Sequence, residues 1–145
     1  MKRDYPERPI VAVGVVVLKD DQVLLIRRSK PPRPDSWSIP GGAQELGETT
    51  RQAGAREVLE ETAITVADLH FLEVIDLIEH DEKGAVEHHY TLIDYAARYQ
   101  SGTPQAGDDA HDAKWVPLDQ LCEYTLWEET TKIITRAVEK LKNAP

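Results

Sequence analysis

Glu57, Glu60 and Glu61 are the residues whose types and spacing most suggest chemistry. Separations of three and four residues stack carboxylates on one face of a helix. Three like charges there repel one another unless a counter-cation intervenes. Hard cations such as Mg2+ take oxygen ligands, usually a few carboxylates together with water and substrate phosphate. Arg56 lies four residues before Glu60 and can hold that carboxylate by a bidentate bond. Glu48, in the preceding segment, is another possible partner. Gly41 and Gly42 allow close backbone approach, and a carbonyl from one of them, Gly42 above all, can complete a metal shell. Taken alone, Glu-x-x-Glu-Glu also fits a solvated acidic helix face, which is common.

The elements around these residues are readable from pattern. Ile10–Leu18 is an apolar, valine-rich run, and Val23–Arg28 is a second one. Asp20-Asp21 between them reads as a hairpin turn. Pro31, Pro32 and Pro34 make Ser29–Ser36 a loop, and Trp37–Ile39 follows as a short strand. A helix starts near Thr49, because Thr49 and Gln52 have the spacing of a capping box. Ala55, Leu59 and Thr62 are expected on its buried face, with Val58 bordering it and Glu57, Glu60 and Glu61 opposite. Leu69–Glu79 and Ala85–Tyr99 read as long strands, Ser101–Asp109 as a polar loop and Ala113–Val116 as a short strand. Leu118–Tyr124 reads as a short helix and Trp127–Leu141 as a closing helix. Strands interleaved with two main helices predict an α/β (α+β) fold, a mixed sheet with helices on its faces.

The spacing across Gly42–Ile64, GAQELGETTRQAGAREVLEETAI, separates a solvated face from a functional one. Gly42 is followed after five residues by Glu48, and after seven more by Arg56-Glu57, then Val58, one further residue and Glu60-Glu61. This resembles the Nudix box, whose specified positions are all matched except one. Ala63 stands where the family has glycine, at a helix end where glycine eases a left-handed turn. Trp37-x-Ile39-Pro40-Gly41-Gly42 resembles the family's entry to the box. Ala113-Lys114-Trp115-Val116-Pro117-Leu118 resembles its last strand and helix start. The resemblance covers most of the chain and implies a single Nudix domain over residues 1–145, an α/β/α sandwich. Gly42–Thr49 also has the glycine and threonine spacing of a phosphate-binding Walker A loop. Glu48 occupies its lysine position and would repel phosphate, so that match is accidental.

What the resemblance implies is a pyrophosphohydrolase dependent on Mg2+, with Mn2+ as an alternative. Glu57, Glu60 and Glu61 would be metal ligands, and a metal-polarised water would attack one phosphorus. Candidates for the general base are Glu61 and the loop acids Asp108 and Asp109, for which a solvated turn is the competing reading. Of Arg27 and Arg28, one can face substrate phosphate, since neighbours on a strand alternate. Trp37 either stacks on a base or caps the core. Of His88 and His89 one can line the pocket, His89 being the substrate-binding candidate, and a satisfied structural histidine is the alternative. A zinc site is not expected, because no other His or Cys has suitable spacing.

The chain has 145 residues and a formal net charge of −9, which suits one domain and argues against a nucleic-acid polymer as partner. A small phosphorylated substrate remains compatible if cations lie between the two. The single cysteine, Cys122, fits a reducing compartment and a cytoplasmic location. No apolar run is long enough to span a membrane. Trp127–Leu141 is a candidate homodimer surface. Trp37-x-Ile39-Pro40-Gly41-Gly42, with the strands Leu72–Asp76 and His89–Asp94, resembles small bacterial ADP-ribose pyrophosphatases, which release AMP and ribose 5-phosphate. Relatives of this length that hydrolyse oxidised nucleoside triphosphates are the alternative. A non-catalytic nucleotide sensor is a third reading, but such proteins usually lose box glutamates, and all are present here.

Overall fold

The computed structural model describes residues 2–28, 36–107 and 110–143. Strand β1 (Ile10–Lys19) turns through Asp20, at φ 53°, into β2 (Gln22–Arg28). Two short strands, β3 (Trp37–Ser38) and β4 (Gly41–Ala43), precede helix α1 (Thr50–Thr62). The chain continues through β5 (Thr65–Val66), β6 (His70–His80), β7 (Val86–Ser101) and β8 (Ala110–Pro117), then a 3-10 helix over Leu118–Glu123, and closes with helix α2 (Glu128–Lys142). All eight strands join in one mixed sheet. Strand β1 runs parallel to β7 from Ile10↔Tyr90 to Leu18↔Arg98, and the other pairings are antiparallel.

The two helices cover opposite faces of this sheet. On one side Val16, Val23, Leu25 and Ala96 pack with Ile133, Ile134, Ala137 and Leu141 of α2. On the other, Val15, Val17, Leu24 and Ala97 pack with Val58 of α1 and with Ile64. Burial on both faces explains why β1 is a nearly unbroken apolar run rather than an alternating one. The expected α/β/α sandwich with a mixed sheet is therefore the observed one. Strands β4 and β5 were not anticipated, and β8 begins three residues earlier than the apolar pattern suggested. The proline loop falls largely on residues 29–35, outside the described residues. Among the described residues, no helix is long and apolar enough to cross a membrane.

Helix α1 starts as its sequence dictates. The Thr49 side chain accepts the Gln52 N–H at 3.1 Å, and the Gln52 side chain accepts the Thr49 N–H at 2.8 Å. Its orientation differs from expectation. Ala55 and Leu59 face solvent, Leu59 at 50% exposure, while Ala53, Gly54, Glu57, Val58, Glu61 and Thr62 are buried. Gly54 explains the rotation: a Cβ there would lie 2.9 Å from Leu69, 3.0 Å from Val15 and 3.2 Å from Val13. The helix thus rests on its small residues, and this turns two glutamates inward. Helix α2 buries Thr130, Ile133, Ile134, Ala137 and Leu141. The apolar face proposed as a dimer surface is therefore occupied within the chain. The large apolar side chains left exposed on the sheet are Phe71, Val74, Ile78 and Val86.

Helix α1 ends at Ala63, in the left-handed conformation with φ 63° and ψ 17°, where its N–H bonds the Leu59 carbonyl at 2.9 Å. Alanine is strained there and glycine is not. Ala63→Gly is expected to raise unfolding free energy by about 0.5–1 kcal/mol. Chemical denaturation measures this, and a loss of stability would show that Ala63 does not hold this geometry in solution.

Candidate functional site

Strand β4 and the inward face of α1 build the site together. Val13↔Gly42 and Gly14↔Gly41 are paired across β1 and β4. A Cβ at Gly41 would come within 2.9 Å of Gly14 Cα. At Gly42 a Cβ would stand 2.6 Å from the Glu57 carboxyl carbon and 2.7 Å from both its oxygens. The Gly41 N–H donates to Glu61 Oε1 at 2.8 Å. Glycine at both positions thus lets two carboxylates, on residues only 8% and 4% exposed, lie directly against the chain. Glu60 points outward, its side chain 44% exposed.

Arg56 ties the cluster to the loop before the helix. Its Nε and Nη2 donate to the two Glu48 carboxylate oxygens at 3.0 and 2.6 Å, a bidentate pair. Nη2 also reaches the Ala43 carbonyl at 3.1 Å. Nη1 donates to Glu57 at 2.8 Å and to Glu60 at 3.1 Å. The fork expected on Glu60 is therefore on Glu48, and Glu60 receives a single N–H. Bonds from Arg56, then a backbone N–H from Glu45, hold the Glu48 carboxyl below its ordinary value. Glu48 and Glu57 in turn hold the guanidinium proton more firmly than usual.

Glu45, Glu48, Glu57 and Glu60 all lie within 4 Å of the one guanidinium, and Glu61 adjoins them through the Gly41 N–H, so carboxylates outnumber their cationic partner. The side-chain donor set is all oxygen, which suits a hard divalent cation. Among the described residues, no three acidic, His or Cys side chains converge into a ready-made cation cage. The fit therefore rests on charge and donor chemistry, with Glu60 the exposed member.

Gly41 and Gly42 also form one wall of a pocket of about 170 Å3 on the α2 side of the sheet. Trp37, Ile39, Leu92, Trp127 and Ile133 give it an apolar lining, and Arg28, Tyr90, Asp94 and Glu129 supply polar groups. Of the two arginines proposed for substrate phosphate, Arg28 lines the pocket. Arg27 does not line it, and its Nε is buried without a hydrogen-bond partner among the described residues. Trp37 is placed both against the core and on the pocket wall. It packs edge-on against Tyr124 at 5.2 Å, beneath Lys114, and also borders the pocket. His89 does not line the pocket. Strand β7 presents Tyr90, Leu92 and Asp94 to it, so the alternation of the strand turns His89 the other way. His88 is structural, bridging Asp4 at 3.0 Å and Glu79 at 3.1 Å. Asp108 and Asp109 lie outside the described residues.

Asp94 was missed as a site residue. It is 6% exposed, and burial, followed by the charge of Glu73, pushes its carboxyl up to about 7. The available signal was an acid inside the apolar run Leu92-Ile93-Asp94-Tyr95-Ala96-Ala97, a costly place for a carboxyl group without a task.

Comparison with known proteins agrees with this geometry. The sequence profile of the NUDIX domain matches residues 8–138. An ADP-ribose pyrophosphatase of Methanocaldococcus jannaschii is 34% identical over 78% of this chain, and the match spans 64% of that relative's own length. A Mycobacterium tuberculosis protein named "Putative 8-oxo-dGTP diphosphatase 2" is 36% identical over 77% of this chain and 82% of the relative. The solved NUDIX domain of Shewanella oneidensis NrtR, in complex with ADP ribose, has a TM-score of 0.77 and 25% identity, covering 93% of this chain and 90% of that one.

The Arg56 network generates a direct expectation. Lysine keeps the charge but cannot hold Glu48 bidentately while reaching Glu57 and Glu60. Arg56→Lys should remain folded and bind Mg2+ about 10–100-fold more weakly, as measured by titration calorimetry. Unchanged affinity would show that the fork does not organise the carboxylates.

Proposed function

The chain belongs to the NUDIX family, and from that premise we propose that it is a pyrophosphohydrolase cleaving ADP-ribose to AMP and ribose 5-phosphate. The observation that carries the reading is the pair of buried carboxylates, Glu57 and Glu61, lying against Gly41 and Gly42 beside an apolar-lined pocket. Buried carboxylates in excess over their cationic partner are costly to stability. Their retention is explained if they serve a cation and a phosphorylated substrate. Divalent cations serve this family generally, and Glu57, Glu60, Glu61 and the Gly42 carbonyl would hold one here, Mg2+ in the first instance. Bound there, it would neutralise diphosphate charge and lower the pKa of a coordinated water.

The remaining work falls to the chain's own groups. Arg56 restrains Glu48, Glu57 and Glu60, so the carboxylate cluster is set before substrate arrives. Glu61, oriented by the bond from the Gly41 N–H, is the candidate to accept a proton from the attacking water. Arg28, on the pocket wall, supplies positive charge for substrate phosphate. Trp37 and Trp127 offer aromatic surface to a base, and the apolar lining excludes water from the rest of the ligand. Three of the pocket's polar groups, Arg28, Asp94 and Glu129, are of a kind that can distinguish one nucleotide from another.

ADP-ribose is placed first because the Methanocaldococcus jannaschii relative carries that activity in its name and the NrtR domain was solved with that ligand. Oxidised nucleoside triphosphates are the second reading, favoured by the name of the Mycobacterium tuberculosis relative and the larger share of it that is matched. The complete set of box glutamates supports hydrolysis over mere sensing. Incubation with ADP-ribose, 8-oxo-dGTP and dGTP in Mg2+, followed by phosphate release after phosphatase coupling, decides between them. ADP-ribose should be turned over fastest, with activity abolished by excess chelator. Preference for 8-oxo-dGTP would move the substrate to the second reading, and full activity in chelator would contradict the hydrolase assignment itself.

A further inference from the structure

Asp94 is a carboxyl group on the pocket wall that takes no part in the proposed bond cleavage. It lies in the middle of β7, next to β1, where it is paired with Gly14. It is 6% exposed, and no group among the described residues hydrogen-bonds its carboxyl. Glu129, the other acid on the pocket wall, is partnered by Lys132 at 3.4 Å. Space over Asp94 is kept open by the absence of a side chain at Gly14, where a Cβ would stand 2.6 Å from Asp94 Oδ1. A buried, unpartnered carboxyl group facing a cavity is costly unless a ligand supplies the missing bond.

We propose that Asp94 is a specificity-determining residue, whose carboxyl group hydrogen-bonds an N–H on the base of the bound nucleotide. The proposal rests on the reading that the pocket takes the nucleoside part of the substrate, and it concerns which base is selected. Gly14 and Gly41 lie between Asp94 and the glutamate cluster, so the base is assigned to the α2 side of the sheet, where Asp94 and Trp37 line the pocket, and the reacting diphosphate to the glutamate side. The raised carboxyl value, near 7, suits this task. The group can act as an acceptor alone, or as a donor and acceptor together, matching the ring nitrogen and exocyclic amine of adenine.

Binding of AMP, GMP, CMP, UMP and ribose 5-phosphate to the full chain in Mg2+, by titration calorimetry, tests the assignment. The wild-type protein should separate the four nucleotides by about tenfold or more. Asp94→Val should bring them within about threefold of one another while leaving ribose 5-phosphate affinity unchanged. The proposal is overturned if the wild type shows no such separation, if the variant retains it, or if ribose 5-phosphate weakens equally. Should Asp94→Val fail to fold, Asp94→Ala carries the test, because it removes donor and acceptor alike. The AMP-to-GMP affinity ratio should then shift by about threefold or more, and an unshifted ratio overturns the assignment. A collapsed base preference in a protein that does not cleave ADP-ribose would uphold Asp94 and reject that substrate. Cleavage of ADP-ribose with an intact base preference in Asp94→Val would do the reverse.

Discussion

Glu57 and Glu61, one helical turn apart, lie against the backbone of Gly41 and Gly42 on residues almost excluded from solvent. Much of the surrounding structure follows from that contact. Strand β4 must be glycine where it meets both β1 and the glutamates, or the carboxylates could not approach the chain. Helix α1 must present its acids to the sheet, and it does so by seating Gly54 on Leu69, Val15 and Val13. Leu59, the residue a hydrophobic pattern would bury, is displaced to solvent as a result. The helix is held by its capping box and by Val58, Ala53 and Thr62, not by a broad apolar stripe.

Arg56 makes this concentration of charge tolerable. A planar guanidinium can form a bidentate pair with Glu48 and still reach two further carboxylates from its other nitrogens. It cannot neutralise four carboxylates, however. The excess charge is what distinguishes this cluster from an ion-pair network built for stability, in which opposite charges balance. It lies beside a pocket that Gly41 and Gly42 help to line, and on the proposed reading a cation and a diphosphate meet there.

Local signals were legible in the sequence wherever neighbouring residues set the structure. Thr49 and Gln52 announce the start of α1, and Ala63, at a position where the family has glycine, marks its left-handed end. The box spacing identified the glutamates and Arg56 because it reflects how residues stack on one helix. Phase and partnership were less legible. Hydrophobicity assigned Leu59 inward, because it cannot see that Gly54 makes the closest approach. Alternation on β7 could not tell whether His89 or Tyr90 faces the pocket until the parallel register with β1 fixed it. Glu48 was a recognised partner, but the choice between Glu48 and Glu60 for the fork depends on the shape of a loop. Strands β4 and β5, with three and two residues, are too short to carry any period.

The central claim is that the α1 glutamates are held for a cation, at a cost to the folded chain without one. Thermal melting of the wild type and Glu57→Gln, with Mg2+ and with chelator at matched ionic strength, tests it directly. Mg2+ should raise the wild-type melting temperature saturably, since a ligand that binds only the folded state stabilises it. Glu57→Gln should melt at or above wild type in chelator, with little further rise in Mg2+. A variant that melts well below wild type in chelator, yet keeps the full Mg2+ response, would mean that Glu57 supports the fold and that the cation binds elsewhere.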